Sequence, residues 1–215
     1  MRTWISAGVA ALALVVPRAA AGEPAAPVFR GTVEPIGDAL QADMTSWHRG
    51  CPAGIDNLRL VTVTHWGFDG RVHQGRLVVG RAYTSAVVSA LRSLFAARFP
   101  IRRMRPIDAY AANDRRSMAA DNTSAFNCRR VAGSTRWSEH AYGRAIDINP
   151  RENPSVENGG VYPRNGAAYA DRSRHAKGMI HAGDAVVRAF AAEGWGWGGS
   201  WNSPKDYQHF SATGR

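Results

Sequence analysis

A chain of 215 residues with 45% hydrophobic and 20% charged side chains can fill one complete core, which excludes disorder throughout and leaves little room for a second large domain. Its formal charge of +10, carried almost wholly by arginine, suits an anionic partner, but the arginines are scattered without a long basic run, which argues against a nucleic-acid protein. Beyond the N-terminus no stretch is apolar and long enough to span a bilayer.

Residues 1–22 read as a signal peptide. Arg2 supplies the basic start, residues 5–16 an apolar run, and Ala19-Ala20-Ala21 a small-residue cleavage site. Residues 23–35, rich in Ala and Pro, read as an extended linker, and residues 36–215 as the folded domain. The expected location is secreted, periplasmic or cell-wall associated, with no stable membrane insertion once the signal is removed. Two cysteines, Cys51 and Cys128, suit that compartment as one disulfide; the alternative is two separate buried thiols.

Within the domain, Ile36, Leu40, Met44 and Trp47 recur at helical spacing over 36–48. The β-branched run 58–64, the turn Phe68-Asp69-Gly70 and the return over 71–79 predict a β-hairpin. Residues 84–99 predict a helix with Val87, Leu91, Leu94 and Phe95 inward, closed by Pro100. A further strand is expected over 101–107, a long irregular loop over 113–130, and a short strand over 145–148 that turns Asp147 away from Ile146 and Ile148. Residues 151–178, full of Pro, Gly and Asn, read as a surface excursion, and 184–193 as a second helix ended by Gly194.

The chemistry is concentrated in Trp137-Ser138-Glu139-His140-Ala141-Tyr142-Gly143-Arg144-Ala145-Ile146-Asp147 and, far downstream, Asp206-Tyr207-Gln208-His209-Phe210. Two imidazoles and one carboxylate, His140, His209 and Asp147, make a zinc set that leaves a fourth position for water. Asp206 beside that water is the expected general base. Asp206 and His209 are three positions apart, so a straight strand would point them to opposite faces; a turn at Asp206 lets both converge. An arginine nearby would stabilise the oxyanion.

The pattern Ser138-x-His140-x-x-Gly143-x-Ala145-x-Asp147, followed by Asp206-x-x-His209-Phe210, resembles the VanY-type D-alanyl-D-alanine carboxypeptidase family, which includes phage L-alanyl-D-glutamate endopeptidases. Segments 122–129 and 197–201 carry further likeness to its secreted branch. The resemblance implies an α+β fold, a small antiparallel sheet with flanking helices holding a single Zn²⁺, and peptidoglycan stem peptides as substrate. It assigns His140, Asp147 and His209 to the metal, Asp206 to acid/base catalysis and Ser138 to the substrate side. The family's transition-state arginine lies in an upstream segment without a counterpart here, which leaves Arg116 and Arg129 as candidates. Many relatives carry glutamate at the position of Asp206, and the shorter acid occurs in the endopeptidase branch. Asp206 thus leaves the cleaved bond open between the two branches; a D,D-carboxypeptidase acting as a monomer is the expectation, and an endopeptidase of the same family, or a zinc-containing wall-binding module without activity, are the alternatives.

Overall fold

The computed structural model describes residues 26–215; the expected signal peptide lies outside them. The segment read as the end of a linker is a strand, β1 (Gly31–Pro35), paired antiparallel with the first strand of the hairpin. Its side chains are exposed along their whole length, so it lacks the half-buried alternation that reveals a strand in sequence. Helix α1 (Asp38–Asp43) is shorter than its periodicity suggests. The backbone turns extended at Met44, and the Ser46 N–H is taken by Asp108 Oδ1 at 2.7 Å. Leu40, Met44 and Trp47 nevertheless pack as one apolar group against Leu58 and Phe126.

The hairpin forms as expected, β2 (Leu58–Trp66) against β3 (Val72–Gly80). Val61 and Val63 of β2 and Leu77 and Val79 of β3 face helix α2 (Thr84–Ala96), which buries Val87, Leu91 and Leu94 against them. Each such fully buried aliphatic side chain stabilises the fold by about 2 kcal/mol. The same core takes in the apolar back of the site: Ile146, Ile148, Phe190, Trp197 and Phe210.

Of the strand expected over 101–107 only β4 (Arg103–Met104) forms. The expected loop over 113–130 contains helix α3 (Asp114–Ala119), opened by the Asn113 side chain accepting from Arg116 N at 3.0 Å, and β5 (Asn122–Thr123), parallel to β4. Next come β6 (Ala145–Asp147), β7 (Ser155–Glu157) and β8 (Gly160–Tyr162). The stretch read as a surface excursion thus contains a hairpin, and its root is buried. Asn153 is fully buried, its amide donating to the Ile148, Asn149 and Gly178 carbonyls while its Oδ1 accepts from Ile180 N at 2.7 Å. Backbone groups of a loop held inside a fold need such partners.

Helix α4 (Ala185–Ala192) is capped by Asp184, which accepts from Val186 N and Val187 N, and ends at Gly194 with φ +77°. The chain closes with β9 (Gly196–Trp197), β10 (Lys205–Asp206) and β11 (His209–Ser211). The fold is α+β, with the strands in three small antiparallel sheets, β1-β2-β3, β10-β7-β8 and β6-β11-β9, and the parallel pair β4-β5. Among the described residues no helix is long and apolar enough to cross a membrane.

Cys51 and Cys128 form a disulfide that ties the loop after α1 to the approach to the site, across a sequence separation of 77. Closing a loop of that length removes chain entropy from the unfolded state worth about 4 kcal/mol. The double variant Cys51→Ala/Cys128→Ala is expected to lose stability of that order in urea unfolding, with the slope of the transition rising as the unfolded chain expands.

Candidate metal centre

His140 lies in the 3-10 turn Glu139–Tyr142, which the Ser138 side chain caps by accepting from His140 N at 3.3 Å. Gly143 ends that turn in the left-handed region, φ +67°, and its carbonyl accepts from Gly80 N at 2.8 Å, docking the turn on the end of β3. Three residues of strand follow, and Asp147 closes β6. Strand β11 runs antiparallel to β6 in a register that sets His209 directly opposite Asp147. Side chains directly opposite in an antiparallel pair project from the same face, so pairing alone brings this histidine and this carboxylate together. On the far side of β6, Ser124 and Asp147 exchange both backbone hydrogen bonds, at 3.1 and 2.9 Å. Asn122 and Thr123 beside it are fully buried; Asn122 bonds Arg105 and Ser117, and Thr123 Oγ1 accepts from Asn149 N. The 122–124 segment therefore holds the site's backbone in place.

The three side chains converge. Asp147 Oδ2 is 3.3 Å from His140 Nε2, and its Oδ1 is 3.0 Å from His209 Nδ1. One ligand atom from each lies within 4.8 Å of the others. The far nitrogen of each imidazole meets a main-chain oxygen: His140 Nδ1 faces Ala125 O at 2.5 Å and His209 Nε2 faces Arg215 O at 3.1 Å. With a metal bound, those oxygens would accept from the far nitrogens and leave the near ones as lone-pair donors, the arrangement found behind metal-ligating histidines. Burial pushes the Asp147 carboxyl up, but the two flanking imidazoles outweigh it and hold the acid below the usual carboxylate range. His209 goes the other way: burial lowers it, and Asp147 and Asp206 together more than reverse that. The cluster thus keeps a carboxylate ionised between two nitrogen donors, a donor set suited to zinc.

Asp206 reaches the same space by a change of sheet. It pairs through β10 with Ser155 of β7, then the chain passes Tyr207 and Gln208 and enters β11. That shift from one sheet to another replaces the turn expected at Asp206 and overcomes the alternation that would otherwise point Asp206 and His209 apart. Burial, then the neighbouring Asp147 carboxylate, push the Asp206 carboxyl up to about 6, against the pull of His209 and His140. Its Oδ1 is buried with no partner among the described residues. A buried acceptor without a partner is costly, which marks a position for water or substrate beside the three ligands.

These groups open on a cavity of about 780 Å³. Arg115, Arg129 and Arg136, Trp201 and Tyr162 contribute to its walls. Arg129 is ion-paired with Asp114, which also accepts from Asn127 Nδ2 at 2.7 Å. Arg116, the other arginine candidate, does not line the cavity: α3 turns Asp114, Arg115 and Met118 towards it and leaves Arg116 exposed on another face. Trp201, whose ring lies 5.3 Å from that of His209, closes the 197–201 segment and walls the cavity; Arg136 is a wall residue for which the motif offers no signal. Trp195 and Trp197 belong to the core.

Residues 132–212 match the family model described as D-alanyl-D-alanine carboxypeptidase. No curated protein and no solved structure matches the chain. The matched span contains His140, Asp147, Asp206 and His209.

Proposed function

We propose that the protein is an exported, monomeric zinc peptidase that hydrolyses peptidoglycan stem peptides, releasing the terminal D-alanine; the match of residues 132–212 to the D-alanyl-D-alanine carboxypeptidase family model supports this reading. The observation that carries this reading is the convergence of His140 Nε2, Asp147 and His209 Nδ1 beside a buried carboxylate oxygen, Asp206 Oδ1, that has no hydrogen-bond partner among the described residues. A site that served structure alone would close its fourth position with a protein ligand. The apolar run and Ala19-Ala20-Ala21 near the N-terminus support export.

Zinc, when bound by His140, Asp147 and His209, supplies a Lewis acid for the scissile carbonyl and lowers the pKa of a water to about 7. Asp206 Oδ1 takes the proton of the attacking water and returns it to the leaving amine nitrogen, which departs protonated. The main-chain oxygens of Ala125 and Arg215 would hold the two imidazoles in the tautomer that presents the ligating nitrogens to the ion. Arg115, Arg129 and Arg136 line the cavity among acidic neighbours such as Asp114 and Glu157 and offer partners for the carboxylates of a stem peptide, and Arg129, held by Asp114, is the arginine we assign to the oxyanion. Ser138, 5% exposed and engaged as the cap of the His140 turn, positions that turn.

Mass spectrometry of a peptidoglycan digest incubated with the zinc-loaded protein tests this directly. The expected result is loss of one terminal alanine from pentapeptide stems, abolished by chelator and restored by added zinc. His140→Ala is expected to lower the rate by at least about 10³-fold, through loss of the ion. Cleavage inside the stem would instead identify an endopeptidase. Binding to the wall polymer with no mass change would refute the peptidase.

A further inference from the structure

Beyond β11 the chain folds back over the site. Gly214 N donates to Ser211 O at 3.2 Å, and Ser211 Oγ donates to Arg215 O at 2.7 Å. Trp201 Nε1 donates to Gly214 O at 2.7 Å, while the indole lies against the His209 ring. Thr213 Oγ1 donates to Glu139 Oε2 at 2.6 Å, and Glu139 is itself paired with Arg144 at 2.7 Å. The Arg215 main-chain oxygen held by this network is the one that meets His209 Nε2.

We infer that the turn Ser211–Arg215 is a positioning strap for the metal centre. The Arg215 main-chain oxygen accepts from His209 Nε2 so that Nδ1 faces the ion, and the Thr213–Glu139 bond ties the strand bearing His209 to the turn bearing His140. The inference rests on the zinc reading above.

The comparison of the two histidines supports it. His140 is oriented by Ala125 O, a backbone group in the buried segment leading to the site. His209 relies for the same service on a short turn whose hold comes from the side chains of Ser211, Trp201 and Thr213. An imidazole without its acceptor rotates more freely and donates a less basic lone pair, and loss of such an outer partner weakens metal binding by about 10–100-fold. Merely structural packing at the same place would alter the stability of the metal-free fold and leave metal affinity alone.

The experiment compares zinc dissociation constants of the full chain and of a chain lacking residues 213–215, by competition with a chromophoric chelator. It is paired with long-range ¹H–¹⁵N spectra of the histidine rings in the zinc-loaded proteins. The expected result is a 10–100-fold weaker constant for the shortened chain. The His209 Nε2 proton should lose its protection from exchange while the His140 Nδ1 proton keeps its own. Equal constants, within twofold, in the two chains would overturn the strap. If the shortened chain does not fold, Trp201→Phe and Ser211→Ala decide instead: each is expected to weaken zinc by about fivefold or more, and unchanged affinity in both overturns it. A full chain that binds no zinc would remove the peptidase reading, and the strap with it; a full chain that binds zinc normally while the variants do too would remove the strap alone.

Discussion

Asp206→Asn is expected to abolish nearly all hydrolysis while leaving zinc bound and the fold intact. The change keeps the side chain's shape and removes only its capacity to hold a proton in transit. General acid–base catalysis contributes about 10²–10⁴-fold, and in the mechanism proposed above one carboxylate would serve both the attack and the departure of the amine. A fall in kcat of about 10³-fold, equivalent to about 4 kcal/mol of transition-state stabilisation, is therefore expected, with KM little changed. Stability should hold or rise, because the acid is buried and crowded by the Asp147 carboxylate, both of which push it up to about 6. Replacing it by a neutral amide removes that repulsion. Zinc content measured on the same preparation separates two roles. If Asp206→Asn retained more than a tenth of wild-type kcat, another group must move the proton; if it lost the ion, Asp206 would be a ligand, against the convergence of the other three.

The sequence carries the chemistry of this site more plainly than its construction. The hairpin, α2 and α4 announce themselves because they are long, periodic and half-buried, so burial writes itself into the spacing of Val61, Val63, Leu91 and Leu94. His140, Asp147, Asp206 and His209 stand out by residue type and offset. What brings them together leaves no such trace. The register that opposes His209 to Asp147 spans three pairs, and β10 has two residues, too few for alternation to show. Helix α3 is hidden in a polar stretch because its six residues bury only Ser117, and its direction decides which arginine meets the cavity. Arg116 fails as a candidate for that reason, one residue along the helix from Arg115. The contact of the tail with the site is illegible for a different cause: Arg215 meets His209 Nε2 through a main-chain oxygen, which no motif can advertise.

Gly143→Ala is expected to destroy the metal centre through the backbone, with no ligand altered. The residue has φ +67°, where an added Cβ costs about 1–2 kcal/mol. That cost alone would be survivable. The second cost decides the outcome: a Cβ at Gly143 would come 2.4 Å from Gly80 N and 2.9 Å from Gly80 Cα, backbone atoms of a strand end that cannot turn aside as a side chain would. Relief requires the Glu139–Tyr142 turn to lift off β3, breaking the 2.8 Å bond from Gly80 N to Gly143 O and carrying His140 with it. Together these cost about 3 kcal/mol or more, a fall of about 6–12 °C in Tm for a domain of this size. Gly194→Ala supplies the control, since Gly194 has φ +77° and open space where its Cβ would go. It should lose only the conformational part, about 1–2 kcal/mol, and keep full activity and zinc affinity. Calorimetry and zinc titration on the two variants should therefore separate. Should Gly143→Ala melt and bind zinc like Gly194→Ala, the contact between β3 and the His140 turn is not what aims that histidine at the ion.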